Sequence, residues 1–490
     1  MMIEQEVRKR YRPSIGIECH VQLKTKTKLF SSVANDARDA EPNTLVSHIC
    51  FGLPGALPVL NEEAVRLASI AGLALNTKPQ KFSRFDRKHY FYPDLPKGYQ
   101  ITQFEQPIVV GGLVEITVDG KSNKIRITRA HLEEDAGKNT HPKGKDYSLV
   151  DLNRAGTPLI EIVSEPDMHS PAGAKAYARE LYLTMKYANV SDANLFYGNM
   201  RFDVNVSVSK DPGRLGTRSE TKNLNSFRAV EKATEFEINR QIELLEKGGA
   251  IKQETRGWDD AKQKTFSQRS KEEAQEYRYF PDSDLPPVLI EDSYINSLVK
   301  QMPVLPNEWR KRLTDFGIDN SHIETLLDAH IELIDEQYLQ LVQKHLEDED
   351  FIKTLVNWMV NIDIPLVRDK ISNHREINRE NIYLAVYKLV KDGQLSSTRA
   401  KELISHLLTI SQTPGDIEVY ARDNGYIQSS DEDEIGKIIT KVIDLNPKAV
   451  DDIKSGQLKA VGFLVGQVMK ESKGQVNPKV AEELIKNRIK

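Results

Sequence analysis

The sequence predicts an α+β fold class, a largely antiparallel sheet followed by a helical second half. Three observations carry this. Two runs alternate strictly, IGIECHVQL and MRFDVNVSV, and period-two alternation is the mark of a strand with one face buried. Between them, VEITV and KIRIT flank Asp119-Gly120, a dipeptide suited to a tight hairpin turn. Beyond Pro303-Val304-Leu305-Pro306 the chain changes to long, charged, amphipathic segments with little strand signal.

In chain order, the first strand puts Ile15, Ile17, Cys19, Val21 and Leu23 on one face and Gly16, Glu18, His20 and Gln22 on the other. AHLEEDAG ends a strand with Glu133, Glu134 and Asp135 in succession. In TPLIEIVSEP, Glu161 interrupts an apolar run and so must face water or a ligand. Ser170-Pro171 supplies a cap and a first-turn proline for a helix reaching Val190. Phe202, Val204, Val206 and Val208 oppose Arg201, Asp203, Asn205 and Ser207 on a further strand. A second helix runs from about Phe227 to Gly248-Gly249. SHIETLLDAHIELIDEQYLQLVQKHLED and RENIYLAVYKLVKDG read as helices, and Gln412-Thr413-Pro414-Gly415 as a linker before short helices, one of them capped by the acidic stretch SSDEDE. The expected division is 1–295, 296–411 and 412–490.

At 490 residues the chain is long enough for two or three cored domains. Its two cysteines, Cys19 and Cys50, form neither a disulfide framework nor a C-x-x-C pair, which fits a reduced cytoplasmic setting without structural zinc. No signal peptide or membrane-spanning run is present in the sequence, so a soluble protein without a membrane partner is expected. A net charge of −4 gives no global attraction to nucleic acid. Phosphate-cradling motifs are absent from the sequence too. At Gly120-Lys121-Ser122 the P-loop pattern would need glycine where Glu115 stands. Any nucleotide site must therefore be cationic and metal-based.

The polar sheet face is where chemistry could gather. Glu18 and His20 project together from one strand, and Arg201, Asp203 and Asn205 from another. One wet face on an antiparallel sheet is the plain alternative. His20, Glu134, Glu161 and Asp203 together suit Mg2+ or Mn2+ beside a nucleotide, with Lys88, Lys97 and Arg154 available for phosphates. In the tail, Lys454, Lys459, Lys470, Lys473, Lys479, Lys486, Arg488 and Lys490 face only Glu471, Glu482 and Glu483. This local positive excess suits RNA phosphates, or else is an ordinary solvated helix face.

The segments IGIECHVQLKTKTKLFSS, FGLPGALPVLN, FDRKHYFYPDLPKGYQITQFEQPI, HLEEDAGK, SLVDLNRAGTPLIEIVSEPD, ETKNLNSFRAVEKA, QETRGWDD, YRYFPDSDLPP and AVGFLVGQVMKESKGQVNP resemble the GatB/GatE family across nearly the whole chain. GatB is the B subunit of the aspartyl/glutamyl-tRNA amidotransferases. The resemblance implies a cradle kinase domain, a helical domain and a YqeY-like, tRNA-touching tail. It implies ATP-dependent phosphorylation of the side-chain carboxylate of Glu-tRNA(Gln) or Asp-tRNA(Asn), then amidation with ammonia. The ammonia would come from a GatA-type amidase subunit, with a small GatC-type subunit joining the pair.

By the same resemblance, ATP and Mg2+ are the cofactors, and the metal ligands fall on His20, Glu134 and Glu161. Glu18, Lys88 and Asp203 are then the candidate catalytic residues, and Lys88, Lys97, Arg154 and Arg201 the candidates for holding the nucleotide. The tail lysines Lys459, Lys470, Lys473 and Lys479 would meet tRNA. Some family members carry cysteine pairs before the GLPG turn, whereas SHICFGLPG has Ser47 three residues before Cys50, so zinc is not expected. Cys19, where the family usually has Val or Ile, should pack as a small hydrophobe. Two rival readings are a non-catalytic RNA-binding scaffold, which leaves the carboxylates unexplained, and a stand-alone ATP-dependent amide ligase, which leaves the tail unexplained.

Overall fold

Alternation along Arg12–Gln22 (β1) sends Ile15, Ile17, Cys19 and Val21 into the core at 0–1 % exposure and leaves Glu18 and His20 on the opposite face. A one-residue slip would exchange the two faces, so this burial fixes the register. Each of the large apolar side chains contributes roughly 1.5–3 kcal/mol on burial. The computed structural model describes residues 4–270, 277–333, 337–371, 377–410, 412–427, 432–454, 459–472, 476 and 478–489. The chain divides into two units, Met1–Glu308 and Trp309–Lys490.

In the first unit β1 is joined by Asp86–His89 (β2), Tyr99–Thr102 (β3), Lys121–Glu134 (β4), Pro158–Ser164 (β5) and Met200–Ser209 (β6). Ser219–Leu224 (β7), Glu254–Asp259 (β8), Lys264–Ser270 (β9) and Phe280–Pro281 (β10) complete the path. The order across the sheet is β9-β8-β7-β6-β1-β5-β4-β3-β2-β10. Pairing is antiparallel except between β7 and β8. The predicted hairpin is present: Val118 pairs with Lys121, and Asp119 and Gly120 both take positive φ, 50° and 74°, as a two-residue type I′ turn requires.

The helix Glu62–Ala74 and two longer helices cover the apolar face. Pro171–Tyr187 (α1) is capped by Ser170, whose Oγ accepts the Gly173 amide at 3.0 Å. Phe227–Glu246 (α2) is capped the same way by Ser226 and ends where Gly248 takes φ 75°. Tyr177 and Leu181 of α1 and Val230, Ile238 and Ile242 of α2 share one core with Phe202, Val204 and Val206 of β6. That core extends to Ile295 and Leu298 of the helix Asp292–Gln301.

The second unit is built of helices. The segment predicted as helix from Ser321 forms Asn320–Glu332 and Tyr338–Lys344. Within Arg379–Lys391 (α3), Arg379 Nε and Tyr383 Oη donate to Asp363 Oδ2 at 2.8 and 2.7 Å. Asp363 is fully buried and closes a π-helical turn, Met359–Asp363. Gln412 to Gly415 is non-helical. In the tail, Glu432–Leu445, Lys459–Glu471 (α4) and Pro478–Ile489 pack through Ile439, Leu464, Val468 and Ile485. The beginning of the acidic stretch SSDEDE lies outside the described residues.

Candidate functional site

Register assembles the polar face. His20 on β1 stands opposite Arg201 on β6 and Glu161 on β5, and Glu161 stands opposite His131 on β4. Direct cross-strand partners share a face, so Arg201, His20, Glu161 and His131 form one row over four strands. Glu133, two residues beyond His131, points the same way. His20 Nε2 lies 3.4 Å from Glu133 Oε1 and 3.5 Å from Glu161 Oε2. His131 Nε2 lies 3.6 and 3.4 Å from the same two carboxylates.

Burial disfavours the His20 imidazolium, but Glu161 and then Glu133 outweigh it and push its pKa up to about 9. Burial likewise opposes ionisation of Glu161, yet the facing His131 and His20 hold it well below the usual carboxylate range. One donor atom each from His20, Glu133 and Glu161 lies within 4.8 Å of the others. Two carboxylates and an imidazole at that spacing fit a Mg2+- or Mn2+-sized ion, which would take the place of the His20 proton.

The sequence reading of this trio is corrected at one position. Glu133, not Glu134, reaches His20 and Glu161. Neighbouring strand residues face opposite ways, and the Glu134 carboxylate pairs instead with Lys97 and accepts the Ile101 amide at 3.0 Å. Lys97 is thus engaged by Glu134. Lys88 sits with its ammonium 5.0 Å from the Tyr277 ring centre. Burial works against its charge, and Tyr279, Glu133 and Glu161 more than restore it. Asp135 gathers the two candidate arginines, Arg154 Nε at 3.3 Å and Arg201 at 3.1 Å.

Beside the row lies a second polar cluster in which Glu18, Asp203 and Glu220 place oxygens within 4.8 Å of one another. Asn205 Nδ2 donates to Glu18 Oε1 at 2.9 Å. Burial, then Glu161, Glu220 and Asp203, raise the pKa of Glu18. Lys222 Nζ lies 3.1 Å from Asp203 and 3.4 Å from Glu220. Sequence reasoning missed His131, Glu220 and Lys222. His131 was open to discovery, since it sits two residues before Glu133 on a strand already recognised.

Other expectations find their places. Cys19 is buried among apolar neighbours, and burial pushes its thiol pKa well up. Cys50 Sγ lies 3.4 Å from both Ser47 Oγ and the Nζ of Lys28, an ammonium buried under the carbonyls of Leu45 and Leu152. On α4, Lys470 is exposed, and a Cβ added at Gly462 or Gly466 would meet nothing within 4 Å. These three positions, four apart, share one open helix face. Lys473 and the side chains of Lys459 and Lys479 lie outside the described residues.

Together these features define an α+β protein whose antiparallel sheet presents carboxylates, imidazoles and ammonium groups on one face, followed by a helical unit. The chain belongs to the GatB/GatE family: residues 13–296 match the GatB/GatE catalytic domain and residues 337–489 the GatB domain. Relatives are similar over almost their whole length. The B subunit of the aspartyl/glutamyl-tRNA(Asn/Gln) amidotransferase of Carboxydothermus hydrogenoformans is 42 % identical over 486 residues, 98 % of this chain and 99 % of its own. The protein of the same name from Thermoanaerobacter pseudethanolicus is 44 % identical over 483 residues, and that from Thermotoga maritima 42 % over 490, with the same coverage. Among the described residues no helix is long and apolar enough to cross a membrane.

Proposed function

We propose that this chain is the B subunit of a cytoplasmic tRNA-dependent amidotransferase. It phosphorylates the side-chain carboxylate of Glu-tRNA(Gln), Asp-tRNA(Asn) or both with ATP, then amidates the acyl phosphate. The observation that carries this reading is the joining of near-complete similarity to amidotransferase B subunits with the His20, Glu133, Glu161 donor set. His20, Glu133 and Glu161 would hold Mg2+, which when bound would neutralise phosphate charge and support transfer. Lys88, Lys97, Arg154 and Arg201 surround the phosphates, the last three exchanging their carboxylate partners for them. Glu18, hydrogen-bonded by Asn205, holds at its carboxylate the proton released as ammonia forms the C–N bond. Positioning and electrostatics supply most of the acceleration, and no protein nucleophile is needed.

Ammonia is delivered by an amidase partner, with a small third subunit completing the complex. The tail, from about residue 412, contacts tRNA phosphates through Lys459, Lys470, Lys473 and Lys479, positioning the RNA without reading its sequence. The helical stretch before it, from Trp309, forms a separate domain.

The test uses the reconstituted three-subunit complex with free ammonia supplied, so that glutaminase defects play no part. Glu133→Gln and His20→Ala are each expected to lower Mg2+-dependent ATP cleavage and amide formation on Glu-tRNA(Gln) by about 10² or more, with tRNA binding retained. Full activity in both variants would refute the assignment of this face and favour a scaffold role.

A further inference from the structure

Strand β7 carries one residue too many for its partner. Val204 pairs with Thr221 and Phe202 with Leu224, so Asp203 stands opposite two residues, Lys222 and Asn223. Asn223 absorbs the surplus in the left-handed region, φ 59°, which Asn tolerates better than most side chains. Its amide donates to Asp203 Oδ1 at 2.8 Å. In a regular ladder Leu224 would face Arg201 on the polar side. With the bulge, Leu224 stays in the core at 1 % exposure and Lys222 stays beside Asp203.

The bulge thus leaves a core residue undisturbed while delivering an ammonium to the polar face, and bulges next to active sites commonly re-aim a side chain in this way. Asp203 uses both oxygens for it: Oδ1 fastens the bulge and Oδ2 accepts from Lys222 Nζ at 3.1 Å. Glu220, itself hydrogen-bonded by Thr255 at 3.1 Å, forms the second ion pair of Lys222. An ammonium has three donors, and the Lys222 side chain keeps 31 % of its surface open.

We propose that Lys222 is an anion-binding residue of this face: aimed by the β7 bulge, it contacts phosphoryl oxygens of the nucleotide or of the acyl phosphate, and Asp203 is the residue that positions it. The proposal rests on the phosphoryl-transfer reading given above. A cation already fixed in place stabilises transferring charge without reorganising.

Steady-state ATP cleavage and amidation by the full complex, with ammonia supplied and ATP-Mg2+ varied, would test this. Lys222→Met should lower kcat/KM for ATP about a hundredfold with its melting transition close to wild type. Lys222→Arg should recover about tenfold of that loss, since the charge returns with different geometry. Asp203→Asn keeps an acceptor for the Asn223 amide but loses the charge that grips Lys222, and should fall between wild type and Lys222→Met. A folded Lys222→Met variant within about twofold of wild type, or a loss that arginine does not relieve, overturns the proposal. If Lys222→Met is unstable, an unchanged KM and kcat in both Lys222→Arg and Asp203→Asn overturns it instead. Should His20→Ala be inactive while Lys222→Met is not, only the Lys222 role fails; a wild-type complex that cleaves no ATP refutes the underlying reading.

Discussion

His131 is buried between Glu133 and Glu161, and its Nδ1 has no hydrogen-bond partner among the described residues. It braces the two carboxylates from the side away from His20. Groups that orient ligands in this way are commonly worth ten- to a hundredfold in metal affinity. Mn2+ titration calorimetry of His131→Gln is therefore expected to show an affinity about 10- to 100-fold weaker than wild type; an unchanged affinity would mean the carboxylates orient themselves. Glu133→Gln removes a donor outright and should weaken binding more than Glu134→Gln, whose side chain is turned to Lys97. A reversed ranking would restore Glu134 as the ligand. The cluster Glu133-Glu134-Asp135 stands out in the sequence because like charges in succession are costly. Which of the three points at His20 depends on the pairing of β4 with β5, a long-range fact that the local string does not contain.

At the scale of elements, local signals were the most readable. Asp119-Gly120 and Ser170-Pro171 each specify a turn or a helix start from adjacent residues alone, and both stand where the sequence puts them. The β7 bulge is different: Asn223 adopts its conformation because Asp203, on another strand, bonds its amide and because Leu224 must return to the core. The π turn ending at Asp363 is likewise hidden, being held by Arg379 and Tyr383 on a later helix. Because Asp363 and Arg379 are buried together, Arg379→Met should cost about 3–5 kcal/mol in denaturant unfolding by leaving a carboxylate unpaired. Adding Asp363→Leu should recover most of that cost, and a double variant no better than the single one would show that the pair's geometry, not its charge, shapes the turn. Ser226→Ala, which strips the cap of α2, should cost about 1 kcal/mol, read as a lower melting midpoint.

For the whole molecule, the first unit holds its own core from Tyr11 to Leu298, and every residue of the candidate face lies within that unit. A fragment ending at Glu308 is expected to melt cooperatively and to bind Mn2+ as the full chain does; a fragment that melts without a transition would show that the second unit is needed for stability. Sheet order also bears on biosynthesis. The strand made first, β1, lies in the middle of the sheet between β5 and β6. At ordinary elongation rates its second neighbour leaves the ribosome on the order of 10–40 s later. Until β5 emerges this half-apolar strand of 11 residues has two unsatisfied edges, and until β6 emerges it still has one. The segment that contributes His20 to the finished face is therefore also the one that the nascent chain must shield longest from mispairing.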